Sequence, residues 1–335
     1  MSALQLKPLP VKFQFTRDDK TLDKLPDLIL GAGIFNYQYH ENPQGLPAAT
    51  ILSRAFDLGI RALDTSAYYG PSEEIVGAAL ASIRDAYPRD SYYICTKAGR
   101  VAENEFDYSP ASIRRSVLRS LERFNTDYLD VIYLHDVEFV ETELALQAIA
   151  ELFKLKAEGR VKHVGLSGFP VDYIYKLAVK VRETLGQPLD IVLSYSNFCL
   201  QNTLLQSYTD KFFADAKLQV LVNASPLSMG LLRKQGPHAF HPASPEITKA
   251  VADAAAYTES QGVDISSLAI RFSLSHWTGP TVIGLSSVAE VENAISGYWE
   301  AQQAREKDQP LVDEVIKILG DQYNKTWPSG IPHDL

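Results

Sequence analysis

The sequence predicts a single (β/α)8 barrel, because short β-rich segments alternate eight times with longer segments of helical periodicity. Several short segments are apolar almost throughout, as expected for parallel strands that are covered on both faces. No linker rich in proline, glycine or serine divides the chain. One domain is therefore predicted for residues 1–335, a length that can bury a large core.

The predicted strands are, in order, "DLILGAG", "IRALDTS", "SYYICTKAG", "YLDVIYLHD", "VKHVGLSGF", "LDIVLSYSNF", "LQVLVNASPL" and "PTVIGLSS". An amphipathic segment follows each strand, from "LPAATILSRAFDLG" after the first to "VAEVENAISGYWEAQQ" after the last. The sixth strand precedes "NTLLQSYTDKFFADAK", and the seventh precedes a long loop and two helices, "EITKAVADAAAYTESQG" and "ISSLAIRFSLSHW". Residues 1–26 form an N-terminal extension. Residues 320–335 form a C-terminal loop, either frayed or folded back as a lid.

The composition excludes several classes of partner. A net charge of −9 would repel nucleic acid backbones and anionic membrane surfaces, so a small-molecule ligand is expected instead. No window approaches the ~20 apolar residues that span a bilayer, and the first residues do not resemble a signal peptide. Cys95 and Cys199 lie in apolar runs, which predicts reduced thiols and a cytoplasmic protein. The absence of a heptad pattern favours a monomer.

Polar residues stand where the second, third and fourth strands end, at the face where such barrels bind ligands. Asp64, Lys97 and His135 occupy these positions, and Tyr69 follows in the first of these loops. Each has an ordinary alternative as a helix cap, a surface ion or a core histidine. Together they predict that Asp64 pairs with Lys97, since an unpaired buried ammonium is costly. The ammonium should in turn lower the pKa of the Tyr69 phenol.

This set of residues suits hydride transfer between a nicotinamide and a carbinol or carbonyl carbon, where Tyr69 exchanges a proton and His135 holds the substrate oxygen. The segment "GLSGF" lacks the spacing of a nucleophile elbow, which argues against acyl transfer. No metal is predicted, because His238 and His241 lack neighbouring ligands, and Asp136 would point away from His135 if the strand continued.

The usual dinucleotide signature is missing from the sequence. Asn36 stands where "GAGIFN" would need its third glycine, so a Rossmann fold is not predicted. Hydroxyls and backbone amides cluster instead at the ends of the later strands, where barrels tend to bind phosphate. They lie in "GLSG", "SYSN" with Ser194, "NASPLSMGLL" and "IGLSS".

The chain resembles the aldo-keto reductase superfamily along nearly its whole length. "LDTSAYYGPSEEIVG", "CTKAGR", "DYLDVIYLHD", "VGLSGF", "ASPLSMGLL" and "VIGLSSVAEVE" occur in the order typical of that family. "FDYSPASIRRSV", "YLHDVEFV", "NASPLSMGLLR" and "WPSGIPH" resemble more narrowly the fungal NAD-dependent D-arabinose 1-dehydrogenases and the plant L-galactose dehydrogenases. This resemblance implies oxidation of a sugar at its anomeric carbon to an aldonolactone. Preferred sugars would share the stereochemistry of D-arabinose, L-galactose and L-fucose.

The resemblance also implies roles for individual residues. Tyr69 would be the general base in oxidation, Lys97 would depress its pKa, Asp64 would pair with Lys97, and His135 would orient the hydroxyl. Cofactor positions map onto Ser167, Ser225, Leu227 and Met229 for the nicotinamide ribose and pyrophosphate, and onto Leu285, Ser286 and Ser287 near the adenosine.

Four positions depart from the family pattern. Gly168 stands where many relatives have an asparagine that holds the carboxamide, and Ala224 where many have a tyrosine that stacks on nicotinamide. Leu285 and Glu290 occupy positions where relatives that bind a 2′-phosphate have cations. An acid repels phosphate and can accept a hydrogen bond from a ribose hydroxyl, so NAD is predicted rather than NADP.

Loops around the barrel mouth should choose the substrate, and an aromatic platform with a few polar groups suits a sugar. Two other functions remain open, an NAD(P)H-dependent carbonyl or pyridoxal reductase and a regulatory subunit of the potassium-channel β type. Trp327 is expected to close the pocket. The candidate substrate-binding residues are Phe35, Asn36, Tyr68, Phe106, Asp136 and Trp327, with Tyr108 and Phe139 nearby.

Overall fold

A computed structural model describes residues 6–335 and contains a closed barrel of eight parallel strands, as predicted. The barrel strands are β1 (Leu28–Gly31), β2 (Ala62–Asp64), β3 (Tyr93–Ala98), β6 (Leu129–His135), β7 (Val161–Gly168), β8 (Ile191–Tyr195), β9 (Val220–Ala224) and β10 (Thr281–Gly284). They follow one another around the barrel in chain order, and β10 pairs with β1 to close it. A small antiparallel hairpin, β4 (Arg100–Ala102) and β5 (Glu105–Phe106), stands on the loop after β3.

Nine α-helices lie within the described residues and surround the strands. They are α1 (Ala48–Asp57), α2 (Ser72–Ser82), α3 (Pro110–Phe124), α4 (Thr142–Ala157), α5 (Val171–Leu185), α6 (Thr209–Ala214), α7 (Pro245–Ser260), α8 (Ile265–His276) and α9 (Val288–Leu319). The segment after β8 differs from its prediction, because a 3-10 turn, Leu204–Tyr208, precedes a short α6. No helix in residues 6–335 is long and apolar enough to cross a bilayer.

Side chains along each strand point alternately into the barrel and toward the surrounding helices. Ala62, Cys95 and Tyr133 belong to the interior cluster, whereas their neighbours pack against the helices. Each of these three lies two residues before a polar strand-end residue, so that residue shares its inward direction. The polar residues are Asp64, Lys97 and His135.

Residues 6–26 close the amino end of the barrel. Phe13, Leu22 and Leu25 join the interior cluster there. Lys20 is buried beside them, and its Nζ lies 2.8 Å from a carboxylate oxygen of Asp130. The polar residues at the strand ends lie at the opposite, carboxyl end.

The C-terminal segment, residues 320–335, folds back over that carboxyl end. Trp327 is 8% exposed and stacks on Phe169, with ring centroids 4.6 Å apart. The backbone N–H of Ile331 donates to the carbonyl of Glu138 at 2.9 Å. Gly330 permits this approach, because its φ is +84° and a Cβ there would lie 2.1 Å from the same carbonyl oxygen. The C-terminal loop is therefore folded back and not frayed.

Candidate active site

A buried ion pair stands at the centre of the barrel mouth. Lys97 Nζ donates to Asp64 Oδ1 at 2.5 Å and to the carbonyl of Thr65 at 2.8 Å. The two charged residues are only 2% and 5% exposed. Burial alone would lower the pKa of Lys97, but Asp64 and Tyr69 outweigh it and raise this pKa to about 12. The ammonium is therefore charged at any physiological pH. Asp64 does not cap a helix, since α2 begins at Ser72 after Pro71.

Tyr69 lies between this ion pair and His135. Its ring centroid is 5.1 Å from Lys97 Nζ and 5.5 Å from the His135 ring. Gly33, from the turn after β1, leaves room for the ring, since a Cβ on Gly33 would come within 3.2 Å of the tyrosine Cε2. Gly33 of "GAGIFN" thus permits the close packing of Tyr69 and does not form a phosphate-binding turn.

The prediction that Lys97 lowers the pKa of Tyr69 below its usual value is wrong for the structure as it stands. Burial raises this pKa to about 12, and the opposing effect of Lys97 is smaller. The physical reason is that the phenolate would lose its hydration, and Asp64 already neutralises the nearby ammonium. Tyr69 is thus a protonated phenol at neutral pH.

A neighbouring hydroxyl contacts the His135 ring. Ser66 Oγ lies 2.9 Å from His135 Nδ1 and accepts the backbone N–H of Tyr68 at 3.1 Å. The serine hydrogen is free to donate to Nδ1, and in that tautomer the imidazole hydrogen lies on Nε2. Burial lowers the pKa of His135 to about 3, so the ring is neutral. Tyr108 fixes the strand end by donating its hydroxyl to the His135 carbonyl at 2.5 Å.

Asp136 does not point away from His135, because β6 ends at His135 and the strand does not continue. Asp136 has a φ of +54°, in the left-handed region. This turn brings its Oδ2 to 3.6 Å from His135 Nε2 and to 2.5 Å from Arg100 Nη1. Arg100, which the sequence analysis did not single out, also lies over the Tyr68 ring, 4.1 Å from its centroid. The only indication of Arg100 in the sequence was a positively charged residue just beyond a predicted strand.

Some of the positions expected to hold the cofactor lie at the mouth, and one does not. Ser167 lies near the end of β7, and its side chain points into the barrel. Ser225 and Met229 adopt positive φ in the turn after β9, where the Met229 N–H donates to Ser225 Oγ at 2.7 Å. Leu227 is half-buried in the same turn. Ser194 instead points away from the barrel interior. It is fully buried and accepts a hydrogen bond from Asn197 at 3.0 Å. Its hydroxyl does not face the mouth.

Glu138 accounts for the glycine at position 168. A Cβ on Gly168 would lie 2.6 Å from Glu138 Oε2, so the carboxyl occupies the space that a side chain would need. Glu138 Oε1 accepts the N–H of Phe169 at 3.0 Å and the hydroxyl of Ser329 at 3.2 Å. Glu138 is 1% exposed, and burial and Asp136 raise its pKa to about 8. Sequence reasoning missed this residue because its contacts are distant along the chain.

An acid covers the N-terminus of α9, where Leu285 is buried beneath the turn. Glu290 Oε2 accepts the backbone N–H and the hydroxyl of Ser286, at 2.5 and 2.8 Å, while Ser287 Oγ accepts the Glu290 N–H at 3.1 Å. Strand-end hydroxyls and a helix N-terminus suit a dinucleotide's ribose and phosphate groups. The residues present therefore fit a nicotinamide cofactor along β7, β9 and β10.

The predicted substrate residues are not all at the mouth. Phe35 is 0% exposed and belongs to the hydrophobic core, so it is a packing residue rather than a lining one. Asn36 is half-buried beside Gly70. Phe106 stacks on Phe139 with centroids 5.1 Å apart, next to Arg100. The sequence analysis also missed two contacts: Tyr195, tilted against Phe169 at 5.4 Å, and His241, edge-on to Trp327 at 4.9 Å.

Comparison with known proteins agrees with this geometry. The profile of the Aldo/keto reductase family matches residues 27–317. The chain is 44% identical to D-arabinose 1-dehydrogenase of Saccharomyces cerevisiae, over 93% of this chain and 96% of that protein. It is 37% identical to L-galactose dehydrogenase of Arabidopsis thaliana, over 85% and 88%. A solved Pseudomonas aeruginosa structure named as an aldo-keto reductase is 22% identical, with a TM-score of 0.56, covering 89% of this chain and 95% of that chain. This last likeness concerns the fold alone.

Proposed function

The chain belongs to the aldo/keto reductase family, and from this premise we propose that it oxidises aldoses at C1 to aldonolactones with NAD as the acceptor. As a member of the family it is an oxidoreductase that uses a nicotinamide cofactor. The relatives named as D-arabinose 1-dehydrogenase and L-galactose dehydrogenase support a sugar substrate. The observation that carries the proposal is the Lys97–Asp64 ion pair beside the Tyr69 ring, with neutral His135 on its other side.

These residues can manage the proton that must leave when a carbinol is oxidised. Bound NAD supplies the hydride acceptor. The His135 Nε2–H donates to the anomeric oxygen and holds it beside Tyr69. The Tyr69 phenolate takes the hydroxyl proton as the hydride leaves C1, so the hemiacetal becomes a lactone. Lys97 stabilises that phenolate, and Asp64 keeps Lys97 in place.

The raised pKa of Tyr69 has a direct consequence for this reaction. Because the phenol is protonated at neutral pH, only a small fraction of the protein holds the basic form that oxidation needs. Oxidation should accelerate as pH rises toward that pKa. Reduction of a carbonyl, which uses the phenol as an acid, should not require alkaline conditions.

NAD is the proposed cofactor because of the acid at the start of α9. Glu290 already accepts the Ser286 N–H and hydroxyl, the groups that a 2′-phosphate would otherwise need. A phosphate there would meet a carboxylate rather than a cation. We also infer that the protein works as a monomer in the cytoplasm, where Cys95 and Cys199, both buried as free thiols, would stay reduced.

Steady-state kinetics with a panel of aldoses and both nucleotides tests the proposal. We expect NAD reduction with D-arabinose, L-galactose and L-fucose, and a higher kcat/KM with NAD than with NADP. Glu290→Ala should narrow the difference between the nucleotides. A clear preference for NADP would refute the cofactor assignment. Activity only toward carbonyls or pyridoxal, with no oxidation of any aldose, would refute the substrate assignment.

A further inference from the structure

We propose that Asp136, held by Arg100, binds the hydroxyl on the sugar carbon next to the reacting one, so that the enzyme requires a free 2-hydroxyl. The inference rests on the proposed function, because it places a second sugar oxygen relative to the first. It assigns Arg100 as a positioning residue that acts through Asp136. Both residues stand at the mouth, on the loops that follow β3 and β6.

The distance between two polar atoms is the starting point. His135 Nε2 and Asp136 Oδ2 are 3.6 Å apart, which is too long for a good hydrogen bond between them. Within residues 6–335, Nε2 makes no hydrogen bond. A donor and an acceptor that face the same space without satisfying each other suit a ligand that carries two polar groups.

Adjacent oxygens of a sugar match this spacing. Oxygens on neighbouring ring carbons lie about one hydrogen-bond length apart, ~2.8 Å. When the anomeric oxygen accepts from His135 Nε2, the hydroxyl of the next carbon therefore reaches the Asp136 carboxylate. That hydroxyl donates to a charged acceptor, which gives a stronger hydrogen bond than a neutral acceptor would.

Arg100 is fully engaged in holding this acceptor. Its Nη1 donates to Asp136 Oδ2 at 2.5 Å, and its Nη2 donates to the carbonyl of Glu103 at 2.6 Å. The guanidinium also lies over Tyr68, at 4.1 Å from the centroid, with Phe106 at 5.4 Å. A cation fixed in this way has little freedom to turn toward an incoming anion.

The charges around Asp136 therefore favour a neutral polyol. Arg100 balances Asp136, and Asp64 balances Lys97, so neither of these two cations is unpaired and open to a phosphate or a carboxylate. The aromatic rings beside Arg100 provide an apolar surface of the kind that covers one face of a sugar. The substrate class is therefore an unphosphorylated aldose with a hydroxyl at C2.

The experiment compares D-arabinose with 2-deoxy-D-erythro-pentose, its 2-deoxy form, in the wild type, Asp136→Asn, Arg100→Lys and Arg100→Met. Asparagine tolerates the left-handed backbone at position 136, so Asp136→Asn keeps the turn. Glu105→Gln, an exposed change on the same hairpin, is the matched control. L-galactose against L-fucose, which differ at C6, controls for the loss of a remote hydroxyl.

In the wild type, kcat/KM for D-arabinose should exceed that for the 2-deoxy sugar about 10- to 100-fold, the range expected for a hydrogen bond to a charged group. Asp136→Asn should reduce this ratio to below about threefold, mainly by lowering kcat/KM for D-arabinose. Arg100→Met should also reduce the ratio, and Arg100→Lys should restore it in part. Partial unfolding slows both sugars equally and leaves the ratio unchanged, so the ratio reports recognition alone.

Two results would overturn the inference while leaving the proposed function intact. One is wild-type oxidation of the 2-deoxy sugar as readily as D-arabinose. The other is an unchanged ratio in both Asp136→Asn and Arg100→Met. If no aldose is oxidised with either nucleotide, the proposed function fails and the inference fails with it, which is a different outcome.

Discussion

Replacing Glu138 with glutamine should stabilise the folded protein at neutral pH and have little effect in mild acid. The Glu138 carboxyl is buried beside Gly168, and its Oε2 has no hydrogen-bond partner within residues 6–335. The nearest charged group that influences it is Asp136, which repels its ionised form. Glutamine keeps the acceptor oxygen for Phe169 and Ser329 but cannot ionise.

The magnitude follows from the pKa in the two states. Glu138 has a pKa of about 8 in the folded protein, against an ordinary value of 4.5 for an exposed glutamate. Below the ordinary value both states hold the proton, and the carboxyl costs no stability. As pH rises toward 8, the unfolded chain releases a proton that the folded protein retains, so stability is lost. The loss at pH 7 is ~3 kcal/mol, taking about 1.4 kcal/mol for each pKa unit.

Equilibrium denaturation in urea at pH 5, 6, 7 and 8 measures this difference, with Glu300→Gln on the exposed side of α9 as the control. The stability gained by Glu138→Gln should be smallest at pH 5, ~1 kcal/mol or less, and grow with each step. Glu300→Gln should show no such trend. A difference between Glu138→Gln and wild type that does not change with pH would refute the assignment of a protonated carboxyl.

Three further predictions concern the reaction and the mouth. Tyr69→Phe should lower kcat for aldose oxidation about 10²- to 10⁴-fold while NAD affinity, measured by fluorescence titration, stays unchanged; near-normal turnover would contradict its role. In the wild type, kcat/KM for oxidation should rise with pH up to the highest pH at which the protein is folded, because the pKa of Tyr69 is about 12. A plateau of kcat/KM near neutral pH would contradict this pKa. Removing residues 324–335, which include Trp327, should raise KM for the sugar severalfold with little change in the far-ultraviolet circular dichroism, and an unchanged KM would exclude the segment from the pocket.

The eightfold alternation of strand and helix segments was enough to predict the barrel, and the nearly continuous apolar strands indicated that both of their faces are covered. The positions of Asp64, Lys97 and His135 at the ends of their strands predicted that all three lie at one end of the barrel. These are local properties of the chain, and the matching family profile confirms the predicted relationship.

The parts that the sequence did not predict depend on backbone turns and distant contacts. Asp136 turns back toward His135 only because its backbone enters the left-handed region. Arg100 reaches it across 36 positions of the chain, and Glu138 meets Ser329 across 191. The pKa of Tyr69 could not be inferred from its charged neighbour alone, because the depth of burial decides the sign.

The division of the site between strands has a practical consequence for altering this protein. The residues proposed to handle the proton lie on β2, β3 and β6 or on the loops that follow them, whereas those proposed to bind the nucleotide lie along β7, β9, β10 and the start of α9. Libraries confined to the later strands can therefore explore other redox partners while the chemistry at C1 is preserved. Libraries confined to the hairpin and the Asp136 turn can explore other sugars without disturbing nucleotide binding.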